Sequence, residues 1–220
     1  MKWRRAGWRV RLIALWLTIW FILACGLIPP PPFQFYIPSV KANPDTITVE
    51  ISASADDGYQ EEGSGAWQLG YTVVCVVSDP NSAWRKHGCL RFQLDIPHGA
   101  EIQSATLNIY VYSTYYDDAN FVIYGEDADN AEEFGSGHTN VWDRPRTTAS
   151  VSWVQSSLGT GWKQKEVTGI IQEVIDRSGW QANNYLALLL IPNSDVSKCL
   201  NFYAYDNGDY IPYLSITYTV

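Results

Sequence analysis

The sequence predicts an all-β protein, an antiparallel β-sandwich of the jelly-roll type with one short helix near residues 168–177. Three observations predict it. Apolar and polar residues alternate with period 2 in run after run, as on strands with one buried face. Turn signals built from Gly, Pro, Asn and Asp separate the runs at short intervals. Strands and helices nowhere alternate as βαβ units would. The sandwich is expected to occupy residues 43–220, preceded by a distinct segment at 1–42.

That first segment carries six Lys or Arg and no Asp or Glu. A basic start (Lys2, Arg4, Arg5, Arg9, Arg11) runs into the apolar stretch Leu12–Ile28, then Pro29–Pro32, then Val40-Lys41-Ala42. Basic, apolar and small-residue regions in that order describe a secretory signal peptide. The apolar stretch falls short of the roughly 20 residues of a spanning helix. Cleavage at Ala42 is one outcome and retention as an N-terminal anchor another, with lipidation at Cys25 a third. Each places residues 43–220 outside the cell, secreted or held at its surface.

The elements of the sandwich follow in order. Ile47, Val49, Ile51 and Ala53 share one face of a strand over Thr46–Ala53. Tyr71–Ser78 and Gly88–Asp95 are β-rich runs either side of the turn Asp79-Pro80-Asn81-Ser82. In the second run Leu90, Phe92 and Leu94 face one way, and Cys89, Arg91 and Gln93 the other. Ala105–Ser113 places Leu107, Ile109 and Val111 inward and Asn108, Tyr110 and Tyr112 outward. Ala119–Glu126 is a strand, and 127–149 reads as a long acidic loop. Val151 and Trp153 mark a short strand, with another over Lys163–Val167. Thr168 is placed to cap the helix, whose Ile170, Ile171, Val174 and Ile175 form its apolar face and which Ser178-Gly179 stops. Tyr185–Ile191, Lys198–Tyr205 and Pro212–Thr219 close the chain as strands.

Residues 43–220 retain nine of the 15 Lys and Arg and all 23 Asp and Glu, a net charge of −14. Nucleic acid is excluded as a partner, since its phosphates need Lys and Arg. An anionic membrane surface is excluded on the same ground, so contact with a membrane is expected only through an uncleaved N-terminal segment. Three cysteines remain, Cys75, Cys89 and Cys199, in a compartment that permits disulfides. A hairpin centred near Ser82 would set Cys75 opposite Cys89 and allow a bridge. Cys199 is then left over and buried, or is itself the partner of one of the two.

No residue pattern marks a catalytic site, and no cofactor beyond structural calcium is implied. The three histidines, His87, His98 and His138, have no Gly-x-Ser-x-Gly elbow beside them. Glu61-Glu62 and Glu132-Glu133 are adjacent acids in polar segments, which are ordinarily solvated. Calcium takes six to eight oxygens from carboxylates, carbonyls and water. The acidic groups that could supply them are Asp56-Asp57, Asp117-Asp118, Glu126-Asp127-Asp129, and Asp206 with Asp209. Asp56, Asp57, Asp206 and Asp209 would converge if the first and last strands are neighbours.

Aromatic residues carry the binding expectation. Residues 43–220 hold six Trp and 13 Tyr. The apolar C–H faces of sugar rings stack on such side chains, and the hydroxyls need polar neighbours. Tyr110 and Tyr112 fall on the polar face of their strand, Tyr115 and Tyr116 follow it, Trp84 sits at a turn and Trp142 in the long loop. Trp153, Trp180 and Tyr218 are expected in the core, where Trp and Tyr are common.

Several phrases of the chain occur in a familiar order. They are Leu90-Arg91-Phe92-Gln93-Leu94, Ala100-Glu101-Ile102-Gln103-Ser104-Ala105-Thr106-Leu107, Thr147-Thr148-Ala149-Ser150-Val151-Ser152-Trp153, Val174-Ile175-Asp176-Arg177-Ser178-Gly179-Trp180 and Pro212-Tyr213-Leu214-Ser215-Ile216-Thr217-Tyr218. Together they resemble the DNRLRE-type β-sandwich modules of secreted bacterial and archaeal proteins, which are related to disaggregatase-type repeats and to one family of carbohydrate-binding modules. The resemblance covers about residues 47–220 and implies a jelly roll with a non-catalytic role at cell surfaces or beside polysaccharide-degrading domains. The expected function is binding of extracellular polysaccharide. A structural envelope, matrix or filament subunit with a cell-surface protein as partner is the alternative, and a polysaccharide hydrolase has no motif behind it.

Overall fold

A computed structural model describes residues 43–220. The segment expected to direct export, with its apolar stretch Leu12–Ile28, Cys25 and the Ala42 site, lies outside the described residues. The strands are β1 (Asp45–Glu50), β2 (Asp57–Glu61), β3 (Trp67–Leu69), β4 (Val73–Ser78), β5 (Lys86–Leu94), β6 (Glu101–Val111), β7 (Ala119–Glu126), β8 (Arg146–Gln155), β9 (Gly161–Glu166), β10 (Asn184–Pro192), β11 (Lys198–Tyr203) and β12 (Tyr213–Thr219). One helix, α1 (Thr168–Ile175), follows β9. All pairings are antiparallel, in the order β1-β12-β6-β11-β4-β5-β10-β7-β8. Strands β2 and β3 extend from β5, and β9 lies along β6. Among the described residues no helix is long and apolar enough to cross a membrane.

Alternation decides which face is buried. Val74 and Val76 of β4, Leu90, Phe92 and Leu94 of β5, and Leu107, Ile109 and Val111 of β6 enter one cluster. Leu186, Leu188 and Leu190 of β10, Leu200 and Phe202 of β11, and Leu214 and Ile216 of β12 join them. Strands far apart in the pairing order therefore share a core, so the sheet folds over to face itself as a sandwich. Each such fully buried aliphatic or Phe side chain contributes about 1.5–3 kcal/mol relative to exposure. Helix α1 packs Ile170, Ile171, Val174 and Ile175 into the same core. Trp180 is buried as expected, and its indole N–H donates to the Ile96 carbonyl at 2.9 Å.

The helix starts differently from expectation. Its N-cap is Val167, which offers no side-chain acceptor. The Thr168 hydroxyl instead accepts from the Ala105 backbone N–H at 2.8 Å, so it joins the helix to β6. Gln172 adds to that seam by accepting from Ile102 N–H and donating to the Ala100 carbonyl.

The acidic loop is not a solvated one. Residues between β7 and β8 cover the outer face of β5 and β10, where Ala131, Phe134 and Val141 pack on Cys89, Ala187 and Leu189. Arg144 holds the cover together from inside. Its guanidinium pairs with Glu126 at 2.6 Å and donates to the carbonyls of Thr139, Glu132 and Glu133. Arg91 plays a similar part, donating to Asp56 at 2.6 Å and to the Ala131 carbonyl while lying over the Tyr185 ring. Strands β2 and β3, which the sequence does not announce, rim this region. Gln60 is fully buried and joins the Gly65 carbonyl, Asn140 and the Val141 N–H.

Candidate functional site

Two arrangements stand out once the strands are in place, an aromatic strip on the outer face of β6 and the carboxylates of Asp57 and Asp206, at the start of β2 and in the turn after β11. The strip begins with parity. Tyr110 points away from the core because Ile109 and Val111 fill it. Register then sets Trp162 of β9 directly opposite Tyr110, and their rings meet edge to face at 5.6 Å. Tyr203 of β11 stacks on Tyr110 at 5.8 Å and on Tyr112 at 5.1 Å, both with planes 19° apart. Tyr210, in the loop between β11 and β12, lies 4.1 Å from Tyr110 and 5.8 Å from Tyr203. Tyr213 of β12 meets Trp162 at 5.1 Å.

The result is one continuous surface of six aromatic rings. Tyr210 and Trp162 are its most open members, 46% and 41% exposed. Polar groups lie along it. Asn201 donates from its side chain to the Tyr112 hydroxyl and from its backbone to the Tyr116 carbonyl. Tyr210 has φ of +56°, a left-handed conformation uncommon for a side chain of this size. The fold therefore holds it in place against its local preference, as is common at binding sites.

The aromatic residues named from the sequence are dispersed differently. Tyr110 and Tyr112 belong to the strip. Tyr115 and Tyr116 form an edge-to-face pair at 4.6 Å in the connection after β6, joined to the strip through Asn201. Trp84 is 68% exposed at the end of a short 3₁₀ turn, Ser82–Trp84, and has no aromatic neighbour among the described contacts. Trp142 is half-buried and packs on His87 at 5.1 Å, so it serves the loop cover. Tyr203, Tyr210, Trp162 and Tyr213 were not singled out by the sequence. For Tyr203 the available signal was parity, since it alternates with Phe202 of the core; β9 is polar apart from Trp162 and offers no such signal.

The carboxylates sort by partner. Glu62 takes Arg85 in a two-point contact and His87 at 2.9 Å, which hold its carboxyl down to about 2. It is therefore not the free solvated acid expected of Glu61-Glu62. Asp118 pairs with Lys198 at 2.6 Å, and Asp117 accepts from Gly159 N–H. Glu126 pairs with Arg144, and Asp127 and Asp129 both bind Arg177. Asp56 is committed to Arg91 and accepts from the Ser52 hydroxyl. Asp209 is exposed at the tip of its loop.

Asp57 and Asp206 differ from all of these. Asp57 Oδ2 accepts from Tyr205 N–H at 2.8 Å, and Asp206 Oδ1 accepts from the Ser54 hydroxyl at 2.7 Å. The second oxygen of each, Asp57 Oδ1 and Asp206 Oδ2, is buried without a hydrogen-bond partner among the described residues. Asp57 is 1% exposed. Burial raises its carboxyl to about 7, with the Asp206 and Asp56 charges adding to the rise and the Tyr205 N–H opposing it. Of the four expected calcium ligands, Asp57 and Asp206 each keep one oxygen without a partner among the described residues, Asp56 is paired with Arg91, and Asp209 is exposed.

The cysteines pair differently from the first expectation. Cys75 does not meet Cys89. Cys75 Sγ lies 3.7 Å from Cys199 Sγ across β4 and β11, and all three are free thiols. Cys89 is fully buried under the loop cover with its thiol on the Gly58 carbonyl. The Cys75–Cys199 contact pulls the Cys75 thiol below its ordinary range and pushes Cys199 above it, as one sulfur donates to the other. The turn after β4 is a 3₁₀ turn capped by Asn81 rather than a tight hairpin, which shifts the register from the one a Cys75–Cys89 bridge would need.

Comparison of the chain with protein-family models gives no match, and comparison with curated proteins gives none either.

Proposed function

We propose that this chain is an exported, non-catalytic module whose jelly-roll-type sandwich binds extracellular polysaccharide along the aromatic strip. The observation that carries the reading is the convergence of Tyr110, Tyr112, Tyr203, Tyr210, Trp162 and Tyr213 on one outward face, drawn from four strands and a loop. Two exposed rings, Tyr210 and Trp162, backed by four partly buried ones, form the kind of rimmed aromatic patch that marks a binding surface. A polysaccharide chain is suited to cover it, with successive sugar rings against successive side chains and tyrosine hydroxyls and Asn201 serving the sugar hydroxyls. The resemblance to DNRLRE-type modules and the basic-apolar leader support the same reading, in which the strip works at the cell exterior.

Y110A and Y210A are each expected to lower affinity for a bound glycan by about tenfold or more, near the upper range of one aromatic contact. W84A, far from any aromatic partner, is expected to leave it unchanged. A glycan array followed by calorimetry on the hits measures both. Binding to no glycan, together with concentration-dependent assembly on size exclusion, would favour the alternative of a surface subunit. Strand β1 supports that alternative, because among the described residues it ends the pairing order with one edge unpaired, the kind of edge a partner strand can join.

In an oxidising compartment Cys75 and Cys199 are expected to form the single disulfide of residues 43–220, leaving Cys89 reduced. A non-reducing peptide map should link the Cys75 and Cys199 peptides, with Cys89 alkylated only after unfolding. A Cys75–Cys89 link would refute the pairing.

A further inference from the structure

The geometry points to a calcium site between Asp57 and Asp206, fastening the start of β2 to the turn after β11. Of the acidic groups that could take a cation, Asp117-Asp118 and Glu126-Asp127-Asp129 are occupied by Lys198, Gly159 N–H, Arg144 and Arg177, which leaves Asp57 and Asp206. At this pair, each carboxylate has one oxygen fixed by a protein donor and the other buried and unpartnered. Neither Asp57 nor Asp206 forms an ion pair among the described residues, and Arg91 is held by Asp56. Two carboxylates, each with one oxygen fixed and the other buried and unpartnered, and with no cationic side chain paired to either, are an arrangement a metal ion completes.

The donor set selects the ion. Among the described residues no three or more His, Cys, Asp or Glu side chains gather as a metal cluster. Two carboxylates would therefore share the ion with carbonyls and water, an all-oxygen set that suits a hard cation. Calcium tolerates such irregular coordination, whereas magnesium requires a near-ideal octahedron and gives up water reluctantly.

The consequence reaches the strip. Asp206 lies in the 3₁₀ turn Tyr205–Asn207, and the same loop continues through Gly208, at φ of +79°, to Tyr210. An ion that fixes Asp206 also fixes the loop that sets Tyr210 against Tyr110. This last step rests on the glycan reading, but the site itself does not.

Purified protein stripped with EDTA and titrated with calcium chloride is expected to give one binding event per chain and a rise in melting temperature. Magnesium chloride should give a weaker response. D57N and D206N should each weaken calcium binding by more than about tenfold. D57N keeps an oxygen for the Tyr205 N–H, so its fold without calcium should be at least as stable as the wild type. A flat titration with unchanged melting temperature would overturn the site, as would full calcium binding by both variants. Calcium binding without glycan binding would sustain the site and count against the strip's proposed role alone.

Discussion

Replacing Arg144 with Met is expected to destabilise the domain by about 3–5 kcal/mol in urea titrations at pH 7. A domain of this size is stable by only about 5–15 kcal/mol, so this is a large fraction of the whole. The side chain is 1% exposed, and its partner Glu126 is 7% exposed. Removing Arg144 leaves the Glu126 carboxylate buried without its cation and releases the carbonyls of Glu132, Glu133 and Thr139. Burial already holds the Glu126 carboxyl above its ordinary range despite Arg144. Without Arg144 it rises further, so the cost of R144M should shrink at pH 5, where Glu126 takes up a proton. R144K should recover little, because a single ammonium cannot reach the positions served by the planar fork. An R144M protein as stable as the wild type would show that the loop cover contributes nothing.

The second large effect concerns pH. In EDTA, stability is expected to fall as pH rises from about 4 to about 7, by on the order of 4 kcal/mol from Asp57 alone. The sign follows from proton counting. Asp57 holds its proton up to about 7 in the folded chain and releases it near 3.8 when unfolded. Between those values the folded state binds the extra proton, so raising pH favours unfolding. The loss is complete above pH 7. The charges facing Asp57 are Asp206 and Asp56, with Asp56 already neutralised by Arg91, and the Cys89 thiol feels Asp57 as well. D57N should remove this slope and raise stability at pH 8 by a similar amount. Urea midpoints from pH 4 to pH 8, with and without calcium, measure it. A flat profile in EDTA would contradict the burial of Asp57.

Both effects arise from polar groups that the sequence presents as ordinary surface acids. Glu126 follows a clear strand pattern, and nothing adjacent to it indicates that Arg144 returns across a loop to meet it. Strands β2 and β3 were missed for a related reason. Asp57-Gly58-Tyr59-Gln60-Glu61 has no apolar alternation, because its buried side chains, Asp57 and Gln60, are polar and bond to groups distant in the chain rather than packing in the apolar core. Asn108 repeats the lesson. It lies on the outward face of β6 yet is 1% exposed, its amide bound to the carbonyls of Thr106 and Tyr213.

The strand faces were legible because alternation is local. Leu107, Ile109 and Val111 enter the core, and Tyr110 and Tyr112 leave it, whatever lies next to the strand. By itself the sequence determined the all-β class, most of the strands, the apolar face of the helix and the outward direction of those two tyrosines. It did not determine what stands beside them. Trp162, Tyr203, Tyr210 and Tyr213 reach Tyr110 and Tyr112 through strand order and register, which depend on pairing between segments far apart in the chain. The same long-range pairing set Cys75 against Cys199 rather than Cys89, and Asp57 against Asp206. Only the tertiary structure decided the strip, the thiol pair and the carboxylate pair, because each is made by neighbours across strands and not by neighbours along one.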